Sequence, residues 1–265
     1  MRFCVIALKL RSMSRLKIEM SLQEKLFSLR DEKYAAFSAK LIPTVSPDRF
    51  IGVRSPQLRA LAKEIIHSNN QTISQLGFLK ELPHQYHEEN VLHAYLLCGE
   101  KKYEILVEES ERFLPYIDNW AVCDSLAPRA FARHKEELLP RIRKWMSAEH
   151  EYTVRFGIGT LMRYYLDADF RPEHLQWVAA IRREEYYIQM MQAWYFATAL
   201  AKQWDATLPL FITPQPPSQG GRLPQPHSGV VGQPLSDWVR AKSIQKALES
   251  YRVSDEHKSI LKKLR

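Results

Sequence analysis

Cysteine is scarce, with three in 265 residues. Cys4, Cys98 and Cys123 are odd in number and suit neither a zinc site nor a redox pair. Disulfide scaffolds, zinc modules and dithiol chemistry are thereby excluded, and the thiols read as reduced groups of a cytoplasmic protein. Glycine is sparse as well, at 9. No glycine loop is set to cradle phosphate, because Gly157-Ile158-Gly159 falls inside a predicted helix. Long apolar runs are missing. The stretch from Phe3 to Leu8 is too short to span a membrane and lacks a small-residue cleavage site. No alternating β-branched segment bounded by hairpin turns occurs, which argues against a sheet. Acidic residues are the minority, 30 against 38 Lys and Arg, for a formal charge of +8. That excess concerns partners rather than fold, and it favours nucleic acid or another polyanion.

What is present is helical pattern. Hydrophobic residues make up 45% and charged residues 26%, a normal balance for a folded soluble protein with a core. From residue 21 onward, apolar residues recur at three and four in QLRALAKEII, NVLHAYLL, ELLPRIRKWM, TVRFGIGTLMRYYL, LQWVAAI and QMMQAWYFATALA. Pro56, Pro83, Pro115, Pro140, Pro172 and Pro209 punctuate the chain at intervals of 25 to 37 residues, about one helix pair. Proline is tolerated in a helix's first turn and stops the helix before it. The expected fold is all-α, a curved solenoid of stacked antiparallel helix pairs with one concave surface. Residues 1–20 read as an N-terminal extension, with Met13 or Met20 as alternative starts. Residues 21–265 read as one domain. Within it, about 212–237 holds six prolines and four glycines and reads as a long loop insertion in the solenoid.

Three places carry residues unusual for a helical core. In DNWAVCD, Asp118 or Asn119 is a natural N-cap, so a helix should begin near Trp120. Trp120 and Asp124 are then four apart and share a face. In YTVRFGIGTLMRYYLD, Arg155 sits among Val154, Phe156, Ile158 and Leu161. A buried arginine needs a partner, either a carboxylate of a neighbouring helix or a phosphate on the concave surface. In IQMMQAWYFATALAKQ, Trp194 lies in a long apolar helix and by itself reads as core.

GVRSPQLRALAKEI, DNWAVCD, YTVRF, IQMMQAWYFATALAK and IQKALESYR together resemble the HEAT-like-repeat DNA alkylation repair family, the AlkD-like alkylpurine DNA glycosylases. They occur in the family's order with similar separations, from about residue 21 to the end, the Pro/Gly-rich insert excepted. The resemblance implies a C-shaped stack of helix pairs that acts as a monomer on double-stranded DNA containing alkylated bases. It implies hydrolysis of the N-glycosidic bond of positively charged N3- and N7-alkylated purines, with the base left in the stack and no cofactor or metal. It gives catalytic roles to Asp124, Trp120 and Trp194, and DNA binding to Arg155. Family glycosylases often place a basic residue one turn beyond the second tryptophan; here the continuation is Tyr195-Phe196-Ala197-Thr198.

Other constellations are less telling. His87 and His93 flank Glu88 but stand six apart, so they do not share a helix face as zinc ligands would. Cys123 has no histidine at a spacing that would activate it. Two alternatives to the glycosylase remain open: a non-catalytic helical-repeat protein that recognises damaged or branched DNA, and a protein-binding helical scaffold. Basic residues gathered beside Trp120, Asp124 and Trp194 would exclude the scaffold.

Overall fold

Short polar residues start several of the helices. Ser21 and Glu24 form a reciprocal capping box at the first, Asp31 caps the second, and Ser236 and Ser254 cap the last two. A computed structural model of the chain describes residues 21–68, 76–212 and 235–265. The expected extension, 1–20, and most of the Pro/Gly-rich insertion, 213–234, lie outside the described residues.

Among the described residues there are fourteen α-helices and no strand. They are α1 Leu22–Ser28, α2 Glu32–Leu41, α3 Ser55–Ser68, α4 Gly77–Lys80, α5 His87–Leu97, α6 Tyr103–Phe113 and α7 Trp120–Ser125. The rest are α8 Lys135–Met146, α9 Glu151–Tyr164, α10 Pro172–Ala179, α11 Tyr186–Lys202, α12 Trp204–Thr207, α13 Asp237–Glu249 and α14 Asp255–Lys263. No described helix is long and apolar enough to cross a membrane.

The odd-numbered helices from α3 form a continuous row: α3 packs on α5, α5 on α7, α7 on α9, α9 on α11 and α11 on α13. Intervening helices back this row, with α6 against α5, α8 against α9, α10 against α11 and α14 against α13. This is the two-layer repetition of a helical solenoid. The contact between α11 and α13 closes the row although the Pro/Gly-rich segment lies between them in sequence. One apolar cluster runs through the stack, from Leu26 to Leu261. In α9 every residue from Tyr152 to Leu161 is buried, as suits a helix with neighbours on three sides. Gly157 permits this approach: a Cβ there would lie 3.0 Å from the Met146 backbone nitrogen of α8.

Most of the prolines sit at element boundaries. Pro56 and Pro172 are in the first turns of α3 and α10, and Pro115 and Pro209 are in 3-10 turns. Pro140 differs, lying inside α8. It and Glu136, whose carbonyl loses its helical donor, are both exposed, so water can take the place of the missing N–H.

Polar groups pin the N-terminal half. Glu88 is buried and accepts from the backbone N–H groups of Ile51 and Gly52 at 2.9 and 2.7 Å. Gly52 adopts φ 95°, a left-handed geometry that glycine tolerates, with the Asp31 carbonyl where a Cβ would stand. His84 Nε2 and His93 Nδ1 lie 2.8 Å apart, and Phe78 and Phe113 stack on them. The metal-like trio is therefore dispersed: Glu88 serves a loop, His93 a ring stack, and His87 packs on Phe50.

Burial holds His84 and His87 neutral down to about pH 4 and His93 down to about pH 2. These folded values lie below the unfolded one, so their contribution is complete above about pH 6.5 and is lost as pH falls toward 4. The melting temperature should therefore drop on acidification below pH 6.5. Each histidine contributes at most about 1.4 kcal/mol per pH unit. His93→Gln should flatten that dependence, and an equally steep profile in the variant would contradict this account.

Candidate functional site

Each polar group of the DNWAVCD segment has its own partner. Asp118 is not the cap; it pairs with Arg49 at 2.7 Å. Asn119 caps α7 by accepting from Val122 N at 3.0 Å, while its amide donates to Asp118 at 2.8 Å. Trp120 is half-buried, and its Nε1 donates to the Leu41 carbonyl at the end of α2, 3.3 Å away. Cys123 is buried beneath α9, and burial pushes its thiol far up, which leaves it no nucleophile at neutral pH. The same effect pushes Cys98 up to about 11.

Asp124 completes the segment. Its two carboxylate oxygens accept from Arg155, Oδ1 from Nε at 3.0 Å and Oδ2 from Nη2 at 2.7 Å. The third guanidinium nitrogen, Nη1, donates to the Tyr187 carbonyl of α11 at 2.8 Å. Arg155 is 4% exposed at its side chain and Asp124 37%. Burial opposes the arginine's charge, but the hydrogen bond and charge of Asp124 outweigh it and raise its pKa. Of the two partners open to Arg155 from sequence, the structure supplies the carboxylate. With its guanidinium buried and committed, Arg155 does not reach outward as a phosphate clamp in this conformation; it orients Asp124.

Trp194 is 46% exposed, although its neighbours along α11 are almost all buried. The helix pattern taken by itself, which reads this residue as core, is thus corrected. α9 and α13 bury most of α11 and leave Trp194 on the open edge. Asp124 is the shared point of two adjoining depressions. One is a groove of about 680 Å³ between α2, α3, α5 and α7, lined by Tyr34, Phe37, Tyr95 and Trp120 among others. The other is a cleft of about 150 Å³ lined by Asp124, Arg155, Arg163 and Trp194. The four residues singled out in sequence are therefore brought together, on three successive members of the helix row.

Charge at this place is one-sided. Among the described residues Asp124 is the only acid lining either depression, and Arg155 already answers it. Arg59, Lys63, Arg129 and Arg163 line them too, all exposed and none in an ion pair among the described residues. Lys246 of α13 adds a further cation, with its Nζ 3.7 Å from the centre of the Trp194 ring. Sequence reasoning missed these five: no local pattern marks them, and Lys246 reaches the site across the Pro/Gly-rich segment.

A carboxylate, two indoles and cations with no ion-pair partner among the described residues thus lie at one place on a helical stack. The family model described as DNA alkylation repair enzyme matches residues 22–204, and the chain belongs to that family. No curated protein matches the sequence. The matched span holds Trp120, Asp124, Arg155 and Trp194, and ends before α13.

Asp124→Asn would leave the Arg155 charge buried with a neutral acceptor. Losing one partner of a fully buried pair costs about 3–5 kcal/mol. Since Asp124 is partly open to water, we expect a smaller loss, about 1–3 kcal/mol, in urea denaturation. A variant as stable as wild type would show that the pair holds nothing together.

Proposed function

We propose that this DNA alkylation repair protein is a glycosylase that hydrolyses the N-glycosidic bond of positively charged N3- and N7-alkylated purines in double-stranded DNA. The observation that carries the reading is the meeting of Asp124, Trp120 and Trp194 beside cations that lack carboxylate partners among the described residues. Such cations are suited to phosphates, and their placement argues against the scaffold alternative.

The chemistry follows from charge. An alkylated purine that is already cationic leaves readily, and bond cleavage moves positive charge onto the sugar. A carboxylate fixed near C1′ stabilises that charge and aligns an attacking water. Arg155 fixes the direction of both Asp124 oxygens, so each has a further lone pair in a set orientation. Indole faces stabilise the same sugar cation by about 0.5–2 kcal/mol each. Arg155 acts here as a positioning residue, and its part in DNA binding is indirect.

One observation favours a second reading, the binding of damaged or branched DNA without base release: the Lys246 ammonium lies over the Trp194 ring. Incubation with duplexes containing 7-methylguanine or 3-methyladenine separates the two. Release of free base is expected, and its absence with tight DNA binding would leave the second reading. Asp124→Asn should lower single-turnover release on the order of 10²-fold or more, measured well below its melting temperature. Wild-type release by that variant would sink the catalytic role of Asp124. Binding to undamaged duplex should weaken steeply with salt, with a log–log slope of about −0.9 per phosphate contacted. A flat salt titration would point away from DNA.

A further inference from the structure

Helix α13 carries Trp238, Lys242 and Lys246 at successive intervals of four, which places them along one face. Each lysine is associated with an exposed indole. The Nζ of Lys246 stands 3.7 Å from the ring centre of Trp194, and that of Lys242 stands 6.0 Å from the ring centre of Trp238. Tyr186 of α11 closes the strip by meeting Trp238 edge-on at 5.8 Å. Lys246 has no ion-pair partner among the described residues. Burial against the ring lowers its pKa, with Glu249 opposing and the Lys242 and Arg155 charges adding to the effect.

The arrangement presents a conflict if a cationic sugar is to use the Trp194 face that Lys246 covers. A ring face can hold one cation at close range, and Lys246 already occupies it. An ammonium in such a place is held weakly, because it rests on a half-exposed ring and, among the described residues, has no carboxylate within ion-pair distance. A phosphate oxygen offers a charge-assisted hydrogen bond, a stronger partner than the ring. Lys246 is on a flexible four-carbon stem, so it can move from ring to phosphate without moving α13.

On the reading that this protein binds DNA through the face around Asp124, we propose that Lys246 is an exchangeable cation. In the free protein its ammonium occupies the Trp194 face. On binding, it transfers to a backbone phosphate and vacates that face for the sugar. Helix α13, beyond the matched span of the family, then supplies a phosphate contact.

The test uses the full-length protein and undamaged duplex DNA, so it requires no base release. Binding is titrated against potassium chloride for wild type, Lys246→Gln and Lys246→Arg. The glutamine variant should lose one counterion, reducing the magnitude of the salt slope by about 0.9. Between 50 and 200 mM salt, its affinity should fall roughly threefold less than that of wild type. The arginine variant should keep the wild-type slope. Tryptophan emission gives the second readout. Adding DNA should change the emission of wild type, and Trp194→Phe should abolish the part of that change that Lys246→Gln also removes. Wild-type binding with an unchanged slope in Lys246→Gln overturns the lysine assignment alone. A wild-type protein that does not hold duplex DNA overturns the DNA reading itself. A reduced slope with an emission change identical in wild type and Lys246→Gln would make Lys246 a phosphate contact that never leaves the ring, and would overturn the exchange.

Discussion

A guanidinium that is 4% exposed cannot be left to solvent, and the answer to Arg155 organises the centre of this molecule. Burying such a charge costs several kcal/mol unless its donors are matched in direction as well as in charge. Asp124 of α7 supplies a two-point match, and the Tyr187 carbonyl of α11 takes the remaining nitrogen. A single side chain of α9 therefore fixes the register of its neighbours on both sides. Sliding α7 by one turn would separate the carboxylate from the guanidinium by about 5 Å. The orientation of Asp124 toward the open face follows from this constraint, so the stability of the stack and the geometry of the site rest on the same pair.

How much of this was legible in the sequence depended on the range of each interaction. The start of α7 was readable because a cap acts within three residues, and Asn119 bonds to Val122. Trp120 and Asp124 were readable as companions for the same reason. The need of Arg155 for a partner was plain from its apolar neighbours, but which of the two kinds it meets depends on a helix thirty residues away. Periodicity alone read Trp194 as core because α11 is apolar around most of its circumference, as a helix between two neighbours must be, and only the family resemblance set it apart. Periodicity does not reveal which narrow stripe stays open on such a helix. Pro140 was readable as a boundary by composition, yet it lies inside α8 because its side faces water. Lys246 gave no signal at all, since nothing local distinguishes it from any other lysine on a surface helix.

The basic excess is spent in two ways. Arg155, Arg183 and Arg240 are tied to protein acceptors and hold connections together: Arg183 spans to the Ala148 and Glu149 carbonyls, and Arg240 binds those of Phe211 and Leu264. Arg59, Lys63, Arg129 and Arg163 are exposed around Asp124 and, among the described residues, have no carboxylate within ion-pair distance. Solvated cations cost the fold little, yet together they create a potential that a bound polyanion relieves by releasing counterions. A net charge of +8 is thus consistent with a structural subset and a surface subset, and only the second bears on partners.

The indole of Trp194 connects these two uses of charge. Its quadrupole attracts any nearby cation, and in the free protein the nearest is Lys246. In the proposed reaction, a sugar that becomes positive during bond cleavage would present the same kind of charge, spread over more atoms and carried by a ligand that also brings phosphates. The proposed exchange of one cation for the other would leave the ring satisfied at both ends of the process, while the displaced ammonium would gain a partner stronger than the ring it left. A hydrophobic residue in place of Lys246 would bury the indole more fully and stabilise the free protein, at the expense of an open face. Holding Trp194 with a weak, mobile cation keeps the ring ordered without closing it, which is what a half-exposed aromatic at the edge of a binding surface requires.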